Sequence, residues 1–180
     1  NGEKELPVIE ALDGQLITNG LMLPPKVVDG KIVSDVENDV LKIVVVNRYN
    51  EAPVAKAFIK NFGFGRGAIA STVAHDSHNI VAVGVDDESL MRAVNLVIEK
   101  RGGVSCVDGV EETVLPLPVA GLMSAGDGYA VAQQYSDIDA KAKALGSPLS
   151  APFMTLSFMA LLVIPHLKLS DKGLFDGDTF

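Results

Sequence analysis

The sequence predicts an α+β domain: mixed or antiparallel β-sheet layers with hairpins, packed by two or three helices. Three observations carry that prediction. Two Asp-Gly pairs, Asp29-Gly30 and Asp108-Gly109, sit between short β-branched runs, where the tolerance of glycine for positive φ closes a tight hairpin. The run LKIVVVNRY, Leu41 to Tyr49, is too densely β-branched for an exposed helix and fits a strand buried on both faces. Two later stretches carry apolar residues at helical spacing.

Taken in order, KVVDGKIV (Lys26 to Val33) is the first hairpin and Leu41 to Tyr49 the buried strand. Ala68 to Ala74 and Ile80 to Val85 are apolar runs of strand length on either side of His75-Asp76-Ser77-His78-Asn79. From Asp87 to Arg101, Leu90, Val94, Val97 and Ile98 gather on one helix face. Asp86 or Asp87 caps its start, Glu88 suits the positive end of the macrodipole, Lys100 and Arg101 suit the negative end, and Gly102 takes the left-handed stop. GGVSCVDGVEETVLPLPV forms the second hairpin before Pro116 and Pro118 stop the pairing. A second helix over 128–145 places Val131, Tyr135, Ile138, Ala142 and Leu145 on a narrow stripe suited to packing on a sheet, and Gly146 and Pro148 close it. Ser150 caps a short apolar helix with Pro152 in its first turn. The chain is expected to leave in an extended tail, VIPHLKLSDKGLFD.

Composition limits the function classes. The 180 residues suffice for one well-buried core, and a 48% hydrophobic content fits a compact soluble protein. A net charge of −8 argues against a nucleic-acid partner, which binds mainly by phosphate neutralisation. The apolar run Ala151 to Pro165 is too short for a membrane span and has prolines at both ends. No signal peptide is visible. The single Cys106 reads as a small buried hydrophobe in a reducing compartment, and the expected location is the cytoplasm. The start, Asn1-Gly2-Glu3, lacks an initiator methionine and looks like a piece of a longer protein.

The stretch STVAHDSHNIVAVG holds two of the three histidines. Asp76, Ser77 and Asn79 are turn formers whose short side chains bond neighbouring backbone. In an extended strand His75 and His78 point to opposite faces, so only a turn or a helical bend aims both at one point. A metal site needs about three or four protein ligands, and the third histidine, His166, is far along the chain. Three readings stand: a hydrogen-bonded turn whose imidazoles satisfy backbone carbonyls, a cluster in which a carboxylate orients an imidazole at a substrate pocket or interface, and, behind both, direct ligation of a catalytic metal. Other features are weaker. GFGRG (Gly63 to Gly67) has its third glycine one residue too early for a phosphate loop and is better explained as a tight turn. Arg48 and Arg66 are expected to be solvated or paired, Ser71-Thr72 lacks a nucleophile elbow, and His166 is expected to be partly buried and satisfied. The acidic SDVEND (Ser34 to Asp39) is expected to be a solvated loop and a seam.

Several segments together resemble the C-terminal domain of the microbial adenine deaminases of the amidohydrolase superfamily: GAIASTVAHDSHNIVAVGVDDE, AVNLVIEKRGG, LPLPVAGLMS and PFMTLSFMALLVIPHLKLSDKGLFD, in the family's order. The match runs from about Leu41 to Asp176; residues 41–180 are the C-terminal α+β domain, and residues 1–40 resemble strands of the small β domain that flanks a catalytic barrel. The resemblance implies hydrolysis of adenine to hypoxanthine and ammonia, a purine-salvage reaction, in a cytoplasmic homo-oligomer. It implies a divalent metal pair, manganese or iron, that lowers the pKa of a bound water so that hydroxide attacks the purine carbon bearing the amino group. The barrel with its His-x-His motif is absent from these residues, so no metal is expected to be bound by this portion and none of its residues is a metal ligand. Asn47-Arg48-Tyr49 departs from the family, whose members often carry an Arg-His pair there.

Two roles follow for the segment. In the first, His75, Asp76 and His78 act as accessory pocket residues, with Ser77 and Asn79 binding substrate, and the turn faces the barrel mouth of the same chain or a neighbouring subunit. In the second, the segment is a non-catalytic packing or oligomerisation module, docking through FMTLSFMALL and the stripe of the second helix.

Overall fold

A computed structural model of the chain describes residues 5–179. Eight strands form one sheet: β1 (Leu6–Ala11), β2 (Thr18–Leu23), β5 (Val40–Val46), β6 (Ala55–Lys60), β7 (Ala68–Ser71), β8 (Ile80–Gly84), β9 (Gly103–Asp108) and β10 (Glu111–Pro116), in the order β10-β9-β7-β8-β5-β6-β1-β2. Every neighbouring pair is antiparallel except β1 with β6, so the sheet is mixed. Two ribbons stand apart from it: β3 (Lys26–Val28) with β4 (Lys31–Val33), and β11 (Leu167–Ser170) with β12 (Gly173–Asp176). Three helices complete the α+β fold: α1 (Asp87–Glu99), α2 (Gly128–Ala144) and α3 (Pro152–Ser157). Among the described residues no helix is long and apolar enough to cross a membrane.

Side-chain alternation places a separate core on each face of the sheet. Leu41, Ile43, Val45, Ile69, Val81 and Val83 meet Ile138, Ala142, Leu145, Phe153 and Leu156 of the α2–α3 side. The intervening Val44, Ala68, Ala70, Ile80 and Ala82 meet Leu90, Ala93, Val94 and Val97 of α1. The strands under α1 are lined with alanine for a steric reason. A Cβ at Gly84 would lie 2.6 Å from Ala68 Cβ and 3.0 Å from Leu90 Cγ, so small residues let the helix settle on the sheet. Ser105 Oγ, fully buried, donates to Ala93 O at 2.7 Å and ties α1 to β9.

Both hairpins form. Asp29 and Gly30 both take positive φ, 50° and 74°, as a two-residue type I′ turn requires. The second hairpin turns one residue later than the sequence predicts, at Gly109-Val110, because Asp108 still pairs with Glu111. The helix α1 is capped by Asp86, whose side chain accepts from Ser89 N. Its left-handed stop falls on Arg101 (φ 60°) rather than Gly102, and Gly102 N closes the end by donating to Val97 O at 2.8 Å. Ile98 is 51% exposed and leaves the predicted stripe, since it sits roughly 100° from the centre of the buried face. The stripe of α2 packs as predicted, with Ile138, Ala142 and Leu145 buried.

Three further expectations are corrected. The cap of α3 is Ala151, with no side-chain hydrogen bond, because Ser150 is held through its N and Oγ by Asp13 Oδ1 at 3.0 and 2.8 Å. The tail is a hairpin: Leu167 to Ser170 pairs with Gly173 to Asp176, and Lys168 and Leu169 are fully buried, which an extended tail could not arrange. His166 is exposed, with Nδ1 2.6 Å from an Asp178 carboxylate oxygen. In the acidic segment, Ser34 is buried, its Oγ accepting from Lys42 N and donating to Gly84 O, while Glu37 and Asn38 are exposed.

Candidate functional site

The antiparallel order brings the ends of β5 and β7 and the starts of β8 and β9 to one rim of the sheet. There Asn47 to Tyr49, Thr72 to Asn79 and Gly102-Gly103 become neighbours. The first strand ends early because Ser71 Oγ accepts from Val73 N at 2.9 Å, and Thr72 turns into the rim. Thr72 Oγ1 donates to Gly121 O at 2.6 Å and accepts from Gly103 N at 2.8 Å. This buried hydroxyl stitches the strand ends to the loop around Gly121.

The turn that follows closes when His78 N donates to Ala74 O at 2.7 Å, and His78 takes φ 53°. That left-handed backbone is uncommon outside glycine, with histidine among the more tolerant residues. The result is that His75 and His78, three apart in sequence, face each other with ring centroids 5.6 Å apart at 66°. His75 N donates to Ser157 O at 2.9 Å, and its ring stacks on Phe158 at 5.1 Å and 20°. The bend therefore rests on the segment just after α3.

Asn79 is buried and spends its amide inside the turn: Oδ1 accepts from Arg48 N at 3.2 Å and Nδ2 donates to Ser77 Oγ at 3.2 Å. Tyr49 Oη donates to Ser77 O at 2.8 Å. Asp76 and Ser77 are exposed at the tip. The carboxylate of Asp76 makes no hydrogen bond to either imidazole, so it acts on His78 through space only. An orienting carboxylate–imidazole contact is thus not formed, because both rings are positioned by stacking and by backbone.

The imidazole of His78 is electrostatically distinctive. Loss of solvent holds its pKa below the ordinary histidine value, and the positive potentials of His75 and Arg48 push the same way against Asp76. Its Nδ1 is buried without a hydrogen-bond partner. At neutral pH the ring is uncharged, able to accept at one nitrogen and donate at the other. Beside His75 runs a largely apolar groove of about 440 Å³, walled by Val73, Leu115, Tyr135, Phe153 and Met154. A second cleft of about 490 Å³ lies between α1 and β5–β6, away from the turn.

Among the described residues no three His, Cys, Asp or Glu side chains gather closely enough to hold a metal ion. The donors among the described residues therefore do not fit a divalent pair. Cys106 is buried, and desolvation first, with the Asp108 charge second, pushes its thiol up to about 12, which makes it inert at neutral pH. Arg66 is paired with Asp108 at 2.8 Å. Sequence reasoning names Arg48 as solvated or paired and Tyr49 only as a departure from the family, and does not single out Phe158, whereas all three contact one another or the turn. The dipeptide ending a strand carries no local signal of what it will meet, and Phe158 reads only as apolar.

The model of the family described as "Adenine deaminase C-terminal domain" matches residues 15–180. An adenine deaminase of Methanosarcina mazei is 51% identical over 179 residues, 99% of this chain and 32% of that protein. One of Sulfurovum sp. is 55% identical over 174 residues, covering 96% of this chain and 31% of that protein, and one of Borreliella afzelii is 45% identical over 179 residues, 98% and 33%. The chain spans about a third of the length of the curated relatives it matches. On this breadth of match, this chain belongs to the adenine deaminase C-terminal domain family.

Proposed function

We propose that this chain works as the C-terminal portion of an adenine deaminase, which hydrolyses adenine to hypoxanthine and ammonia, and that its 75–79 turn helps to shape the substrate pocket. The observation that carries this reading is the pairing of His75 and His78 at an exposed sheet rim, with one ring held neutral. A purine presents ring nitrogens that accept hydrogen bonds and N–H groups that donate them, and a neutral imidazole answers either. Phe158 and Tyr49 fix the turn so that little ordering is required when substrate arrives. Asp76 and Ser77, exposed at the tip, face outward toward whatever covers the rim; Asn79 acts by holding Ser77 in place.

The divalent metal pair, manganese or iron, belongs in this reading to the N-terminal amidohydrolase barrel of the longer protein, where it activates water. The ribbon β3–β4, paired only with itself among the described residues and showing Val27 at 56% exposure, is the part of residues 1–40 that we assign to the small β domain beside that barrel. In this reading the whole enzyme is a cytoplasmic homo-oligomer.

Alanine at His75, Asp76 or His78 in the longer enzyme is expected to lower kcat/KM for adenine by about 10- to 100-fold with little change in melting temperature. Parallel losses of turnover and stability would assign the turn to structure alone. The purified 180-residue chain, supplied with manganese or iron and free of host enzyme, is expected to release no ammonia from adenine.

The competing role, a packing and assembly module, loses part of its basis inside this chain. Phe153, Leu156 and Met159 are covered by the chain's own core, as are Ile138 and Ala142 of α2. What is left exposed there is Met154 at 52% and Tyr129 at 90%. Light scattering of the chain bears on the competing role: a stable dimer supports assembly, and a monomer leaves the pocket role open.

A further inference from the structure

The chain has four arginines, and two of them are neutralised by carboxylates: Arg66 by Asp108, and Arg92 by Glu112 and Glu99. The other two, Arg48 and Arg101, line one cavity of about 420 Å³ at the same rim of the sheet. None of the described residues lining that cavity is acidic. In a chain of net charge −8, two unneutralised guanidiniums on one concavity form a local reversal of sign.

The two arginines are held in different ways. Arg48 is pinned: Nη2 donates to Ala120 O at 2.6 Å and to Tyr49 Oη at 3.2 Å, and its guanidinium lies 5.0 Å from the Tyr49 ring centroid. It also presses against Gly121, where an added Cβ would fall 1.9 Å from Nη1, and Gly121 has φ +75°. Only glycine lets the guanidinium lie there. Arg48 Nε is buried with no hydrogen-bond partner among the described residues, an expensive state for a charged donor. Arg101 is exposed, and among the described residues its side chain has no ion-pair or hydrogen-bond partner. Asn47 and Thr72 also line it, with their side chains already committed to Asp171, Tyr49 N and Asn50 N and to Gly121 O and Gly103 N, and Val97 and Ile98 of α1 give it an apolar wall. The carbonyls of the last turn of α1, which would repel an anion, already accept from the backbone N–H groups of Lys100, Arg101 and Gly102.

We infer that this cavity is a binding site for the oxyanion group, phosphate or carboxylate, of a small molecule, gripped between Arg48 and Arg101 with its organic part against Val97 and Ile98. The inference does not rest on the pocket role of the 75–79 turn: the site has its own lining, though Arg48 N and Asn79 Oδ1 join the two. Guanidinium is the side chain best matched to both anions, because its planar fork donates two parallel hydrogen bonds.

The test is isothermal titration of the chain at low ionic strength with sodium phosphate and, separately, sodium acetate, using sodium chloride to set the screening background. Saturable binding of phosphate alone assigns a phosphate ligand, and of acetate alone a carboxylate ligand. The Arg101→Gln variant is expected to weaken that binding about tenfold, whereas Arg66→Gln, whose partner is Asp108, leaves it unchanged. Backbone amide shifts in the unmodified chain provide a readout that needs no variant: Asn47, Thr72 and Gly102 are expected to move on adding the anion. The inference is overturned if neither anion gives saturable heat, if Arg101→Gln and Arg66→Gln bind equally, or if the shifts fall elsewhere.

Discussion

Lys168 lies in β11 with no exposed surface, donates from Nζ to Leu16 O at 2.6 Å, and has no carboxylate partner among the described residues. Burial lowers its pKa from the ordinary 10.5 to about 8. The unfolded chain therefore holds more protons than the folded chain between those two values, and stability rises with pH across that window. The shift corresponds to about 3 kcal/mol. Denaturant unfolding from pH 7 to 10.5 is expected to show the stability of the native chain climbing relative to Lys168→Met; a difference flat with pH would mean that Lys168 is charged and satisfied in the fold. The imidazole of His78 follows the same sign at a lower pH. Its folded pKa is depressed below the unfolded value of 6.5, so its contribution is complete above that value and is lost as pH falls toward the folded pKa. Titration of its ring protons by NMR is expected to give a midpoint below 6.5, moving upward in Arg48→Gln as one neighbouring positive charge is removed.

At the scale of elements, α1 depends on what the strands beneath it lack. Ala68, Ala70, Ala82 and Gly84 leave room for Leu90, Ala93 and Val97. Gly84→Ala forces its new methyl onto Ala68 Cβ and Leu90 Cγ and is expected to cost about 1–3 kcal/mol in denaturant unfolding with an unchanged m value. The ends of α1 are less sensitive. Its salt bridges, Lys42 with Asp87 and Arg92 with Glu112, join it to β5 and β10 at the surface, where such pairs contribute little.

At the scale of the whole molecule, β1 is an internal strand, held between β6 and β2 with Val8 and Ile9 fully buried. The family match begins at residue 15, but the physical unit begins earlier. Removing residues 1–14 strips those side chains, at about 2 kcal/mol each, and frees the edges of β6 and β2. A chain beginning at residue 15 is expected to melt at least about 10 °C lower or to aggregate; an unchanged melting temperature would show that β1 is dispensable. Any assignment of residues 1–40 to a neighbouring domain has to accommodate this shared sheet.

What the sequence determined by itself is local. The hairpin at Asp29-Gly30, the strand at Val40–Val46, the start of α1 at Asp86 and the stripe of α2 all follow from turn chemistry, capping and periodicity within a few residues. The segment resemblance identified the family for the same reason, since ordered motifs are read along the chain. The tertiary structure alone decided that the tail folds back as β11–β12, that β1 pairs in parallel with β6, and that Arg48, Tyr49 and Phe158 close around the 75–79 turn. These contacts span tens to more than a hundred residues. Periodicity states which face of a strand is apolar but not which strand lies beside it, so convergence at the rim emerges only once the whole sheet is assembled.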